Sequence, residues 1–129
     1  MEREYTDDEW ERWDALTVRF ARLADLLTQQ VFRAIDLVEF LPADSTFLDR
    51  INRAEKRGHI QSAYTWKEIR DIRNQIVHEY ASAQLRLLFQ DVVKRIPELL
   101  ECVERLSVYK SILVQQLASN PDQPAPKAS

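Results

Sequence analysis

Apolar positions recur at alternating spacings of three and four along most of this chain. The first run is Trp10, Trp13, Leu16, Phe20, Leu23, Leu27, Val31, Ile35, Val38 and Leu41, one helical stripe about nine turns long. Thr6 followed by Glu9 fits a capping box, so the helix is expected to begin near Asp7, and Pro42 supplies its stop. A stripe of this length cannot be covered by one short partner helix. It calls for a bundle, a second subunit, or both.

A second, shorter helix is expected from a cap at Asp44, Ser45 or Thr46 to about Arg57, with Gly58 closing its C-terminus. Phe47, Leu48, Ile51 and Ala54 are its apolar positions, while Arg50, Arg53 and Arg57 recur on a polar face. That face reads as a solvated surface or, beside a genuine site, as a ridge of candidate phosphate contacts. His59 follows in a loop, where an isolated histidine is expected to be exposed and without a role. Thr65 and Glu68 have capping-box spacing and open a third helix whose ridge is Trp66, Ile69, Ile72, Ile76 and Tyr80. Ser82 can cap a fourth helix, with Leu85, Leu88, Phe89, Val92 and Val93 inward. Pro97 followed by Glu98 is expected to break it and start a fifth, with Leu99, Cys102, Val103, Leu106, Tyr109, Leu113 and Leu117 inward. Residues 119–129 are proline-rich and carry no apolar pattern, so a disordered tail is expected after a domain spanning residues 1–118.

Composition narrows this to one architecture. Gly58 is the only glycine in 129 residues, which leaves little room for hairpin turns or phosphate-cradling loops. An all-α, compact up-and-down bundle of four to five helices, able to dimerise through its long first helix, is the expected fold. The lone Cys102 excludes an intrachain disulfide and a cysteine-based zinc site, and reads as a small core residue. No apolar run reaches the roughly 20 residues of a membrane span. The acidic start MEREYTDDEWER lacks the basic and apolar regions of a signal peptide, so a cytoplasmic setting is expected.

Charge is distributed unevenly. The net value is −3, but residues 1–14 carry −5, whereas residues 49–73 carry +3 from Arg50, Arg53, Lys56, Arg57, Lys67, Arg70 and Arg73 set against four acids. A local basic region can attract phosphates although the whole chain is acidic.

The candidate chemistry sits late in the third helix. Asp71, Arg73, Asn74, His78 and Tyr80 crowd into ten residues of an otherwise ordinary helical pattern. Asp71 and Asn74 beside His78 make a poor metal-ligand set, and no serine or cysteine is marked out as a nucleophile. Arginine with histidine suits metal-free phosphodiester cleavage. Imidazole moves a proton near neutral pH, and guanidinium holds the phosphate and the charge that builds on it. RNA brings its own nucleophile, the 2′-hydroxyl. On an ideal helix His78 falls opposite Ile76, Asn74 and Asp71 share its side, and Arg73 stands roughly 140° away from it near the ridge. Two copies of the helix meeting across a two-fold axis would hold such a motif better than one.

Arg73-Asn74-Gln75-Ile76-Val77-His78-Glu79-Tyr80 resembles the R-x4-H-x-Y motif of the HepT-like branch of the HEPN superfamily. The long first helix, the motif late in the third and the Pro97-Glu98-Leu99 opening agree with that resemblance over residues 8–117. The resemblance implies a dimeric bundle that brings two motifs into one cleft. It also implies a metal-independent ribonuclease toxin with no cofactor, paired with a minimal nucleotidyltransferase antitoxin that adds AMP to the motif tyrosine. On that basis Arg73 and His78 would be catalytic, Asn74 and Asp71 supporting, and Tyr80 the AMP acceptor. Arg50, Arg53, Arg57 and Arg70 would contact RNA phosphates. The residue before the tyrosine is often small in that family, and here it is Glu79. The alternative implied by the same family is a noncatalytic helical partner subunit of a nucleotidyltransferase.

Overall fold

A computed structural model of the chain describes residues 4–42, 45–78 and 82–119. Thr6 caps the first helix as its spacing predicts. Its hydroxyl accepts from the Glu9 amide at 3.2 Å, and Glu9 accepts from the Thr6 amide at 3.1 Å. Helix α1 then runs as an α-helical part, Asp7–Asp25, a π-helical turn, Leu26–Val31, and a second α-helical part, Phe32–Val38.

The π turn changes which residues face inward. A π turn holds an extra residue, so the apolar stripe read at strict three-four spacing slips by one position beyond it. Phe32 and Asp36 are fully buried and Ile35 stays buried beside them, whereas Val31 and Val38 are only partly covered. Phe32 packs against Trp66 with ring centroids 5.7 Å apart. Within the turn, the Thr28 hydroxyl donates to the Ala24 carbonyl at 2.8 Å, supplying a partner where the ladder is perturbed.

Two helices end in the same way with different residues. In both, an amide just past the helix end reaches back five positions: Leu41 to the Asp36 carbonyl at 2.8 Å, and His59 to the Ala54 carbonyl at 2.9 Å. The pivot at the second is Gly58, with φ of 83°. At the first it is Phe40, a bulky residue held at φ of 62° and left 80% exposed.

Helix α2, Phe47–Arg57, is capped by Thr46, whose hydroxyl accepts from the Asp49 amide at 3.1 Å. Its arginine face was expected to meet solvent or phosphate; it meets α1. The Arg50 Nε donates to the Thr28 carbonyl at 2.9 Å and its Nη1 to the Ser45 carbonyl at 2.6 Å, and the residue is 4% exposed. Burial, with Arg33 next in effect, lowers the Arg50 pKa from its ordinary value. Arg53 and Arg57 each lie 2.9 Å from a carboxylate oxygen of Asp36, and Arg57 also reaches Glu39 at 2.6 Å. The one-residue slip at the π turn put Asp36 inside, and the arginines followed it as counter-charges.

Helix α3, Ala63–Ile76, begins earlier than the Thr65–Glu68 spacing predicts. Ser62 is the cap, accepting from the Thr65 amide at 3.3 Å, and Glu55 accepts from the Ala63 amide at 2.6 Å. Glu68 instead pairs with Arg95 of the last helix at 2.6 Å. Trp66, Ile69 and Ile72 are buried along the predicted ridge, with Ile76 partly so.

The last helix, α4, spans Ser82–Ser119 without the break expected at Pro97. A proline there forfeits the bond to the carbonyl of Val93. Pro97 and Val93 both lie on the exposed side of α4, where water can take that carbonyl. Arg95 bonded to Glu98 at 2.9 Å spans the site.

The fold is all-α, a bundle in which α1 lies along α3 and α4 and α2 sits across the π turn. Its core joins Phe20, Leu27, Phe32, Ile51, Trp66, Ile69, Val92, Leu99 and Cys102. Burial raises the Cys102 thiol to about 12, consistent with a packing role. A second aromatic group, in which Trp13 stacks on Phe89 at 4.8 Å, ties the start of α1 to α4. His59, expected to be exposed, is 4% exposed and lies edge-on to Tyr109 at 4.9 Å, because the chain turns inward at Gly58. No helix among the described residues is long and apolar enough to cross a membrane. Residues 120–129, where the tail is expected, lie outside the described residues.

Candidate active site

Arg73 occupies the last turn of α3 and turns toward α1 rather than along its own helix. There Asp25, the last residue before the π turn, receives it in a two-point fork: Nε to Oδ1 at 2.9 Å and Nη2 to Oδ2 at 3.0 Å. Nη1 donates to the Asn74 Oδ1 at 3.3 Å. Both partners of the fork are about one-third exposed, Arg73 at 34% and Asp25 at 39%, so the pair sits at a mouth and not in the core. A guanidinium carries five N–H groups, and this arrangement leaves the second hydrogen on each Nη for an anion.

Asp25 escaped the sequence reading. It is one of many charged positions on α1, and its partner lies 48 residues away. Its place immediately before a π turn is the feature that marks it, since such turns recur at functional sites.

His78 lies just beyond the helix. Val77 is the C-terminal cap of α3, and the His78 amide donates to the Gln75 carbonyl at 3.2 Å. The ideal-helix angle between Arg73 and His78 therefore does not describe this site, because the chain has left the helix before reaching the imidazole. His78 is exposed. Glu79 and Tyr80 lie outside the described residues.

Arg73 and Asn74 share a cleft of about 210 Å³ with Asp25, Gln29, Phe47 and Arg70. Asp71 is elsewhere, in a groove between α3 and α4 with Glu68, Asp91 and Arg95. Of the four arginines expected to meet phosphate, Arg50 and Arg57 are tied up inside the fold, the half-buried Arg53 is held by Asp36, and Arg70 alone of them borders the cleft. Its guanidinium carbon lies 4.5 Å above the Phe47 ring. Among the described residues no three His, Cys, Asp or Glu side chains group so as to hold a metal ion.

A family described as Ribonuclease HepT-like matches residues 3–106. The chain belongs to the HepT-like family. That places it in the HEPN superfamily, as the motif at Arg73–Tyr80 implied, and the all-α bundle, with four helices among the described residues, agrees. No curated protein and no solved structure matches it. The HepT-like match ends at Leu106, within α4.

Proposed function

We propose that this HepT-like chain is a metal-independent endoribonuclease toxin that acts in the cytoplasm and is neutralised by a minimal nucleotidyltransferase adding AMP to Tyr80. The observation that carries the reading is Arg73, forked by Asp25 at the mouth of a cleft of mixed polar and apolar lining, with outward N–H groups still available and His78 one short turn further along.

The chemistry follows from those groups. His78 takes the proton of the RNA 2′-hydroxyl, the 2′-oxygen bonds to phosphorus, and the bond from phosphorus to the 5′-oxygen breaks. The leaving oxygen takes its proton from the histidine of a second copy, and the products are a 2′,3′-cyclic phosphate and a 5′-hydroxyl. Arg73 stabilises the charge on the phosphoryl oxygens during attack. In a homodimer two such motifs face one substrate, which supplies the base and the acid together. AMP on Tyr80, two residues from His78, would add an anion and bulk where the RNA must sit.

Expression of the chain with and without the nucleotidyltransferase tests this. Wild type alone should arrest growth and cleave RNA in the presence of chelators, and folded His78→Ala and Arg73→Ala should do neither. Equal toxicity of folded His78→Ala would defeat the catalytic assignment, leaving the partner-subunit alternative. AMP transfer persisting in Tyr80→Phe would remove that tyrosine from the scheme.

A further inference from the structure

The cleft beside Arg73 holds more chemistry than phosphate binding requires. Its volume of about 210 Å³ falls below the ~300–1,000 Å³ usual for whole small-molecule pockets, and suits one planar group. Phe47 and Arg70 form a stacked pair at its wall, with Phe47 packed on the core and Arg70 exposed on the outside. A guanidinium plane backed by an aromatic ring is a platform on which an unstacked base can lie.

The two amide side chains of the cleft are oriented alike. The Asn74 oxygen accepts from the Arg73 Nη1 at 3.3 Å, and the Gln29 oxygen accepts from the Arg50 Nη2 at 3.4 Å. Each amide therefore commits its oxygen to an arginine and keeps its NH2 as a donor beside the cleft. Both oxygens of Asp25 are engaged by Arg73. With the Asp25 charge answered by Arg73, the side chains left to meet a ligand are mostly donors: two amide NH2 groups and the free N–H groups of Arg70 and Arg73. An amide with both ends free can pair with adenine, whereas donors alone match carbonyl and ring-nitrogen acceptors such as O6 and N7 of guanine.

We propose that this cleft is a base-recognition subsite next to the scissile phosphate that takes a base with an oxygen at purine C6 or pyrimidine C4, guanine or uracil, and disfavours adenine and cytosine, which carry an amino donor at that position. The proposal rests on the ribonuclease reading and names Gln29 and Asn74 as specificity residues and the Phe47–Arg70 pair as the stacking platform.

The test uses the full chain and 2′-O-methyl oligocytidylate carrying one central guanine, uracil or adenine, or none. Such strands lack the 2′-hydroxyl and cannot be cleaved by the proposed route. Fluorescence anisotropy should show the guanine and uracil strands binding about tenfold tighter than the other two. Gln29→Glu, which replaces a donor by an acceptor, should erase or invert that order. Arg70→Ala should weaken every strand through the lost platform, and narrow the preference for guanine and uracil through the lost N–H donors. Equal binding of all four strands, no binding by the folded protein, or an unchanged order in folded Gln29→Glu would overturn the proposal. Cleavage of unmodified RNA is scored separately. Base-selective binding without cleavage would defeat the ribonuclease reading alone, and cleavage without base selection in binding would defeat the subsite alone.

Discussion

Asp25 and Arg73, 48 positions apart, meet through both carboxylate oxygens at 2.9 and 3.0 Å and join the π turn of α1 to the end of α3. The pair fixes a guanidinium that would otherwise sample many rotamers, and it does so from a helix that carries none of the motif. Asp25 is thereby a positioning residue for the proposed catalytic arginine.

Removing that acid should therefore lower activity more than stability. The pair is partly exposed and screened, so Asp25→Ala should cost at most ~1 kcal/mol of unfolding free energy. RNA cleavage should fall by roughly 10- to 100-fold, the scale of a displaced catalytic group. Asp25→Glu should recover part of the loss. Single-turnover rates beside urea melts give both numbers, and an unchanged rate in Asp25→Ala would show that Arg73 needs no anchor.

Asp36 should behave in the opposite way. It is fully buried and answers Arg53 and Arg57, the latter only 6% exposed. Asp36→Ala leaves Arg57 with Glu39 alone and Arg53 without its carboxylate, and is expected to destabilise the fold by up to ~3–5 kcal/mol. Denaturant unfolding checks this, and a loss under 1 kcal/mol would mean that the arginines find water instead.

Acid should weaken the fold through His59. Burial lowers its pKa from the ordinary 6.5, with Arg57 and Arg105 adding to the effect and Glu39 opposing it. In the unfolded chain the imidazole binds a proton at higher pH than in the folded one. Its contribution is therefore intact above about pH 6.5 and is lost as pH falls below that value. Melting temperature should drop from pH 7 to pH 5, and His59→Leu should flatten that slope. An identical slope in the variant would assign the acid sensitivity to the carboxylates.

Pro97→Ala should stabilise the protein. It restores an amide to the middle of a 38-residue helix at an exposed position, worth up to ~3 kcal/mol by intrinsic helix preference. A thermal melt reads the change. A fall in melting temperature would indicate that the proline is needed to lay both halves of α4 on the bundle.

Some of this was legible from the chain alone because its signals are local. Caps at Thr6 and Thr46 are bonds to the third residue onward, Gly58 answers a single dihedral angle, and the ridge of Trp66, Ile69 and Ile72 is a repeat within one helix. The motif Arg73–Tyr80 is likewise contiguous, and it was sufficient to point to the family. The partners of the polar side chains were decided only by tertiary structure. A π turn at Leu26–Val31 has no marked composition, yet it shifts the inward face by one residue, buries Asp36 and draws the arginines of α2 inside. Packing likewise leaves Pro97 facing water and turns His59 inward. Periodicity can say which face of a helix is apolar, but a salt link such as Asp25 to Arg73 depends on the rotation and register between two helices, and those are set by the packing of the whole core.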